Sequence, residues 1–480
     1  MYLGLDLGTS GLKGVLIDGN QAVVGQATAA LHVDRPHSGW SEQAPADWLR
    51  AAEDVFDALS AQHDLSAVRG IGLSGQMHGA TLLDASDEVL RPCILWNDTR
   101  SHAQAAEMDA TPQFRNLTGN IVFPGFTAPK LAWVRDNEPV IFGKVAKVLL
   151  PKDYLRLWLT GEHVAEMSDA AGTSWLGTGA RDWSDELLAT TGLDRSHMPR
   201  LVEGSEVSGS LRAELCARWG FTRKTVVAGG GGDNAASAVG MGTVRAGEAF
   251  LSLGTSGVLF AANDSYAPDA ASAVHTFCHA LPGRWHQMGV ILAASDALNW
   301  FAKICESTAP DLTGALGEVQ APGATIFLPY LGGERTPHND AAVRGAFVGL
   351  EHAADRNAMT RAVLEGVAFA FADCRDALAG TGTVLERATA VGGGSLSPHW
   401  LQIMANATGL ALDVPVAGDF GGAFGAARLG LMAAENAGAE IATAPEIHHT
   451  VKPDSALTNA FEDAHARYRA ASTVIRTLNT

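Results

Sequence analysis

One heptapeptide occurs twice in this chain. Leu5-Asp-Leu-Gly-Thr-Ser-Gly11 returns as Leu251-Ser-Leu-Gly-Thr-Ser-Gly257, six of seven positions agreeing across 246 residues, about half of the 480. Self-similarity at such a period marks a structural unit used more than once. The surroundings repeat as well. In each copy an apolar run (Tyr2 to Leu7; Ala249 to Leu253) enters the glycine turn and a second run leaves it (Gly14 to Ile17; Val258 to Ala261). In the first copy Asp18-Gly19-Asn20 then turns the chain into Ala22 to Ala27, a hairpin signal. Each half also carries a later apolar run ending in glycines, Val68 to Gly75 and Ala388 to Ser395. The pattern predicts an α/β protein of two related lobes, 1–244 and 245–480, joined through the small residues of Gly240 to Gly247. Helices fit between the strands. Pro45 to Gln62 spaces Trp48, Leu49, Ala52, Val55, Phe56 and Leu59 at helical intervals behind a first-turn proline, and Arg361 to Leu378 behaves alike. Residues 96–225 read as an insertion rich in Trp, Pro and Asp, expected to cap a substrate site in the first lobe.

Composition closes off several classes. A 47% apolar, 18% charged chain of this length supports large cores and is no disordered protein. Lys+Arg 34 against Asp+Glu 52 leaves −18, so no overall field draws nucleic acid or an anionic membrane. A small anion is not excluded, because local N–H groups bind phosphate against a global charge. Five cysteines without a C-x-x-C suit neither a disulfide framework nor a zinc ribbon. The opening Met-Tyr-Leu-Gly-Leu-Asp6 lacks the basic start of an export signal, and no uncharged apolar run reaches the ~18 residues of a membrane span. The expected location is the cytoplasm.

The turns carry the chemistry. A strand–Gly-Thr-Ser–strand turn presents consecutive N–H groups and small hydroxyls, a nest for phosphate oxygens. Two matched turns across a cleft could hold the phosphates of a nucleotide from both sides. Only the first copy has a carboxylate, Asp6, where the second has Ser252. One Asp beside a phosphate turn suits Mg²⁺ held directly or through water. Ala228-Gly-Gly-Gly-Gly-Asp-Asn234 leaves almost no side chain around Asp233, so substrate and triphosphate can both come close to a candidate general base. The apolar strand before it and the helix-like Ala235 to Val239 after it predict a positioned turn, not a floppy loop. Gly392-Gly-Gly-Ser395 reads as backbone clearance for a flat ligand such as adenine. Gly421 to Ala426 fits clearance or close helix packing equally well. Gly75-Gln-Met-His-Gly79 ends a strand with a polar mixture suited to hydroxyl recognition.

Other matches fail on context. Gly70-Ile-Gly-Leu-Ser-Gly75 fits G-x-G-x-x-G by letter but precedes Gln-Met-His-Gly, not a helix. There is no G-x-x-x-x-G-K-[ST] and no G-x-S-x-G. His275-Thr-Phe-Cys-His279 has no further ligand cluster nearby in sequence, so pocket or structural roles are expected there.

The duplicated turn, the glycine-rich Asp loop and the late Gly-Gly-Gly turn together resemble the FGGY sugar kinases, of the actin and heat-shock ATPase superfamily. Gly125-Phe-Thr-Ala-Pro-Lys-Leu-Ala-Trp-Val-Arg-Asp-Asn137 fits the family's first signature throughout. The second is recognisable from Gly345 to Leu350 and Ala362 to Glu365, departing at Ala358, where a polar or acidic residue is usual. Ser74 to Gly79, Leu95-Trp-Asn-Asp98, Leu150 to Tyr154, Met167 to Thr173 and Gly333-Glu-Arg-Thr-Pro-His338 resemble the members that act on D-xylulose. The resemblance, covering residues 1 to about 430, implies two ribonuclease-H-like (actin-like ATPase) lobes around an interdomain cleft. It implies ATP and Mg²⁺, a small ketose as the partner molecule, no nucleic acid or membrane partner, and room for a homodimer. In it Asp233 takes the proton of the sugar's terminal hydroxyl and Asp6 sits by Mg²⁺ and the transferring phosphate. Gln76, Met77, His78, Trp96 and Asn234 contact the ketose. Thr9, Ser10 and Lys13 face the γ-phosphate, Gly254 and Thr255 the other phosphates, and Gly392, Gly393, Gly394 and Ser395 border adenine. The alternatives are a kinase of the same family for another ketose or polyol, an ATPase switch that ignores sugars, and a silent sugar-binding regulator, which intact Asp6 and Asp233 argue against.

Overall fold

The computed structural model describes residues 1–478 apart from Ala417 and Asp419. Strands β1 (Tyr2–Leu7), β2 (Gly11–Ile17) and β3 (Val23–Ala30) form an antiparallel meander. Its second turn is an Asx turn, with Asp18 Oδ1 accepting from the N–H groups of Asn20 and Ala22. The positive φ falls on Gln21, at 66°, and not on Gly19. Strand β4 (Gly70–Gly75) joins β1 in parallel. Outside it come β5 (Val207–Ser210) and β6 (Val226–Ala228), with β7 (Gly231–Gly232) pairing the end of β4. The order is β5-β6-β4-β1-β2-β3.

The second sheet rebuilds the same kernel. Strands β8 (Ala249–Leu253) and β9 (Gly257–Asn263) form a hairpin, β10 (His275–Cys278) and β11 (Trp285–Ile291) extend it, and β12 (Arg387–Val391) joins β8 in parallel. Strands β13 (Ala411–Pro415) and β14 (Ile447–Val451) complete the order β10-β11-β9-β8-β12-β13-β14. Hairpin plus parallel neighbour, β1-β2 with β4 and β8-β9 with β12, is the sequence repeat in three dimensions.

Helix α1 (Pro45–Ser60) covers one face of the first sheet with Trp48, Ala52, Val55, Phe56 and Leu59 buried. Helix α2 (Pro151–Thr160) packs beside it, while α3 (Asp233–Met241) leads toward the second lobe. Helix α4 (Arg356–Gly380), longer at both ends than its periodicity predicts, fills the second lobe's core. Helix α5 (Gly422–Glu435) crosses back: although it lies in the second half of the chain, it packs on β1, β4 and α3. A Cβ on Gly72 would sit 1.8 Å from Ala426 O, and one on Gly425 would sit 1.7 Å from Ala236 O. The Gly70–Gly75 run and the Gly421–Ala426 stretch therefore serve close packing of one helix on a sheet and on another helix. The strands change sheet between Gly232 and Ala249; this helix does not follow them.

Not all of 96–225 is cap. Val207–Ser210 is an edge strand of the first sheet, held by its ladder to β6, and α2 lies against β4 with Leu155 and Leu159 in the core beneath that sheet. The remainder docks on the second lobe. Asn120 donates Nδ2–H to Thr276 O and accepts from Thr276 N–H, continuing the edge of β10 as another strand would. Trp285 donates its indole N–H to Thr178 O. One apolar core runs through this junction. Among the described residues no helix is long and apolar enough to cross a membrane.

Candidate active site

The two carboxylates meet at one end of the first sheet. Asp6, next to last in β1, is in register with Ser74 of β4, and Ser74 with Gly231 of β7. Neighbouring strands thus end together, and α3 begins at once with Asp233. Ser74 donates its hydroxyl to Asp6 Oδ1 at 2.7 Å. A Cβ on Gly422 would lie 2.9 Å from Asp6 Oδ2, so only glycine lets α5 start against this carboxylate. Asn234 donates both its backbone N–H (2.7 Å) and its side-chain Nδ2–H (2.9 Å) to Asp233 Oδ1. Burial, and after it the negative charge of Asp6, pushes the Asp233 carboxyl up to about 6. It is ionised at neutral pH yet a stronger proton acceptor than an ordinary carboxylate.

The glycine run that carries Asp233 is held on both sides. Gly230 has φ 80°, and a Cβ there would meet Leu73 O at 2.2 Å. The turn is a positioned one.

Beside Asp6, Lys13 of β2 is its register partner and so shares its face of the sheet. Thr9 donates its hydroxyl to Gln76 Oε1 at 2.9 Å and accepts from the Trp96 indole N–H at 3.0 Å. Gln76 in turn donates to Gln43 Oε1, and Gln43 donates to Thr9 O. The Gln76 amide is buried and engaged within the protein, and half of Trp96 is exposed. Ser10 is exposed at the tip of the turn.

Beyond Gln76 the chain turns sharply. His78 has φ 69°, stacks on Phe126 with centroids 4.5 Å apart, and places Nδ1 2.7 Å from Gly172 O. Its own carbonyl accepts from Lys130 Nζ and from the Thr127 hydroxyl. Burial, with the Lys130 charge second, lowers the imidazole to about 3, so His78 stays neutral. With Nδ1–H donated to a carbonyl, Nε2 is left as an acceptor. Met77 is buried in the core of the cap and contributes shape rather than polarity.

On the second lobe, Gly254 and Thr255 form the matching turn. Gly254 O accepts from Ser295 N–H and Thr255 O from Ala294 N–H, each at 2.9 Å. Gly392 (φ 91°) abuts Leu253 and Gly254, so the Gly392–Ser395 turn and the Gly254–Thr255 turn lie side by side. Ser395 donates its hydroxyl to Gly392 O. Gly393 and Gly394 border a cavity of about 490 Å³ closed by Leu298, Asn299, Pro310 and Trp400. A second cavity, of about 510 Å³, lies between the lobes; Asn234 and Ser237 of α3 face Ser252, Gly392 and Ser395 across it. Leu396 lines both. Asn234, next to Asp233, and Gly392, which abuts Gly254, both line this second cavity, so the head of α3 and the second lobe's turns meet at one cleft. Met77 and His78 line neither cavity and stand on the cap side of Asp233.

The work of some participants shows only in the tertiary structure. Gln43 is isolated in the sequence yet ties Thr9, Gln76 and Trp48 together. Lys130 lies in the quoted Gly125–Asn137 segment, but its work, clamping the carbonyls of His78 and Gly125, shows only in three dimensions. Arg335, from the second lobe, lies 3.8 Å over the Phe123 ring and 3.3 Å from His275 Nε2, bringing a cation across to the cap. His279 instead faces Thr243 O, so the two histidines of the 275–279 segment diverge.

Known proteins match this arrangement over its whole length. Residues 1–240 match the family model "FGGY family of carbohydrate kinases, N-terminal domain" and residues 249–434 its C-terminal counterpart. The chain is 48% identical over 474 residues to the xylulose kinase of Escherichia coli (strain K12), covering 98% of both chains. To the xylulose kinase of Klebsiella pneumoniae it is 50% identical over 432 residues, 89% of each. Among solved structures, a "xyloylose kinase" from Brucella ovis superposes with a TM-score of 0.98 at 62% identity, covering 99% of both.

Proposed function

The chain belongs to the FGGY family of carbohydrate kinases, and on that premise we propose that it transfers the γ-phosphoryl group of ATP to the 5-hydroxyl of D-xylulose. The observation that carries this reading is the meeting of Asp6 and Asp233 at one end of the first sheet, beside a cavity lined by Asn234 on one side and by Gly392 and Ser395 on the other. Adenine would occupy the cavity beside Gly393 and Gly394, the triphosphate would run past Gly254 and Thr255 toward Thr9, Ser10 and Lys13, and the ketose would lie between Asp233, Asn234 and His78. Trp96 and Gln76 would orient the Thr9 hydroxyl.

Asp233 accepts the proton of the 5-hydroxyl. The oxygen forms its bond to the γ-phosphorus as the bond to the departing ADP breaks, ADP leaving with the electron pair. Little covalent work falls to the protein; alignment and charge placement carry the rate. Asp233 is half-buried, and bound substrate would complete the exclusion of water, the competing acceptor. Asp6 is a hard oxygen donor in a site already negative enough for its charge to raise Asp233, and this fits Mg²⁺. The ion, when bound, supplies charge neutralisation on the triphosphate. Among the described residues no three His, Cys, Asp or Glu side chains cluster as a cage, so Asp6 would hold it together with water and phosphate oxygens.

The test is sugar-dependent ADP release from Mg-ATP over D-xylulose, D-ribulose, L-ribulose, L-xylulose, D-fructose, glycerol and gluconate. Strong stimulation by D-xylulose is expected. Stimulation by another member instead would change the substrate and keep the chemistry, and ADP release indifferent to every sugar would favour an ATPase switch. His78→Ala removes the neutral acceptor and should raise the KM for ketose by about 10-fold, the ~1–3 kcal/mol of a buried hydrogen bond left unmade. An effect confined to the KM for ATP would contradict the role given to His78.

A further inference from the structure

Behind the Asp233 turn lies a group of charged side chains that the reaction as written does not use. Lys152, Asp153 and Arg156 of α2 meet Glu166 and Asp169 from the short segment Val164–Ala170, all fully buried. Lys152 Nζ is 2.8 Å from Asp153, 2.9 Å from Asp169 and 3.4 Å from Glu166. Burial alone would discharge this lysine; the three carboxylates outweigh it and hold Lys152 charged. Burial pushes the Asp169 carboxyl well up, against the pull of the Lys152 ammonium beside it, and Arg156 adds a second cation 3.6 Å from Asp153. Hydrophobic residues of similar volume would hold a fold at least as well as such a group. Its contacts say what else it does.

Both ends of the Asp233 turn hang from it. At the start, Arg156 donates to Ala228 O (2.6 Å), to Gly229 O and to Ser208 Oγ. At the end, Gly232, the residue before Asp233, donates its N–H to Ser168 Oγ at 3.0 Å. The Ser168 hydroxyl is itself fixed, since it donates to Glu166, which also accepts the N–H groups of Ser168 and Asp169. The turn needs such outside anchors because four glycines have no side chains with which to hold themselves.

We propose that Ser168, held by Glu166, is a positioning residue for Asp233: its hydroxyl fixes the Gly232 amide and thereby the point from which the Asp233 carboxylate starts. This rests on Asp233 being the proton acceptor. Ser168→Ala deletes one oxygen in a buried site. The carboxylate then loses its fixed origin, and kcat is expected to fall between about 10- and 100-fold, the scale of an ångström-sized misplacement. KM for ATP and for ketose should stay unchanged. A merely structural role would lower the melting temperature and the folded fraction and leave kcat per folded molecule intact. If Ser168→Ala does not accumulate as folded protein, Glu166→Gln, which keeps the shape but replaces one of the two oxygens that accept from Ser168 and Asp169 with an NH2 donor, carries the same expectation. Wild-type kcat in the folded serine or glutamate variant, with Asp233→Ala inactive, overturns this proposal alone; an active Asp233→Ala removes the reading beneath it.

Discussion

Asp233→Ala is expected to lose at least ~10²–10⁴-fold in kcat, the usual worth of a general base, while ATP binds as before. Nucleotide affinity should survive because the Gly254–Thr255 turn and the cavity beside Gly393 and Gly394 belong to the second lobe, and no residue of α3 lines that cavity. The pH profile supplies the second half of the prediction. The Asp233 carboxyl stands at about 6, raised by burial and by Asp6. A raised pKa keeps the acid protonated to a higher pH than usual, and a protonated Asp233 cannot accept the sugar's proton. At substrate concentrations far below KM, where the rate reports the unliganded enzyme, turnover should therefore fall about tenfold per pH unit below about 6, not below the ordinary carboxylate range near ~4. The alanine variant should lack that limb. A wild-type profile flat down to pH ~4, or near-normal turnover in the variant, would remove Asp233 from the chemistry.

Gly425→Ala is the second large effect. In an exposed helix this change is favourable by ~1 kcal/mol, because alanine costs less backbone entropy. Here the sign reverses. The new Cβ would sit 1.7 Å from Ala236 O and 2.9 Å from Gly240 N, both backbone atoms of α3. Backbone cannot swing aside like a side chain, so the helices must separate, at a cost of ~1–3 kcal/mol or more. Helix α3 starts at Asp233 and α5 starts against Asp6, so separating them also pulls the carboxylates apart. Urea unfolding should show a lowered midpoint, and turnover should drop beyond the loss of folded protein. Gly380→Ala, at the end of α4 with open space around it, is the control expected to be neutral. Equal stability of Gly425→Ala and the parent would mean that the crossing is not tight.

The comparison of sequence with structure follows the range of the forces involved. The two hairpins, the helix at Pro45 and the positioned turn at Asp233 were legible because each depends on neighbours a few residues away: alternation, a proline in the first turn, glycine where φ must be positive. The repeat then carried the local reading to the scale of lobes. Where a segment's role depends on a distant partner, the local pattern was ambiguous. Gly421 to Ala426 suited a ligand as well as a helix, and only the approach of Ala236 shows why those glycines are there. Gln76 read as a sugar contact, yet both ends of its amide are engaged by Thr9 and Gln43, over spans of 67 and 33 residues.

The sequence by itself determined that this chain builds one α/β unit twice, with a carboxylate beside the first turn and another at the head of a helix, because such features are written in short-range periodicity and turn chemistry. Only the tertiary structure decided that α5 returns to the first sheet, that the cap fastens to the second lobe through Asn120, and that a buried ion group anchors the Asp233 turn. Those are contacts between residues tens to hundreds of positions apart. They are selected by which surfaces fit and which buried charges find partners, and neither condition leaves a mark on any one stretch of chain.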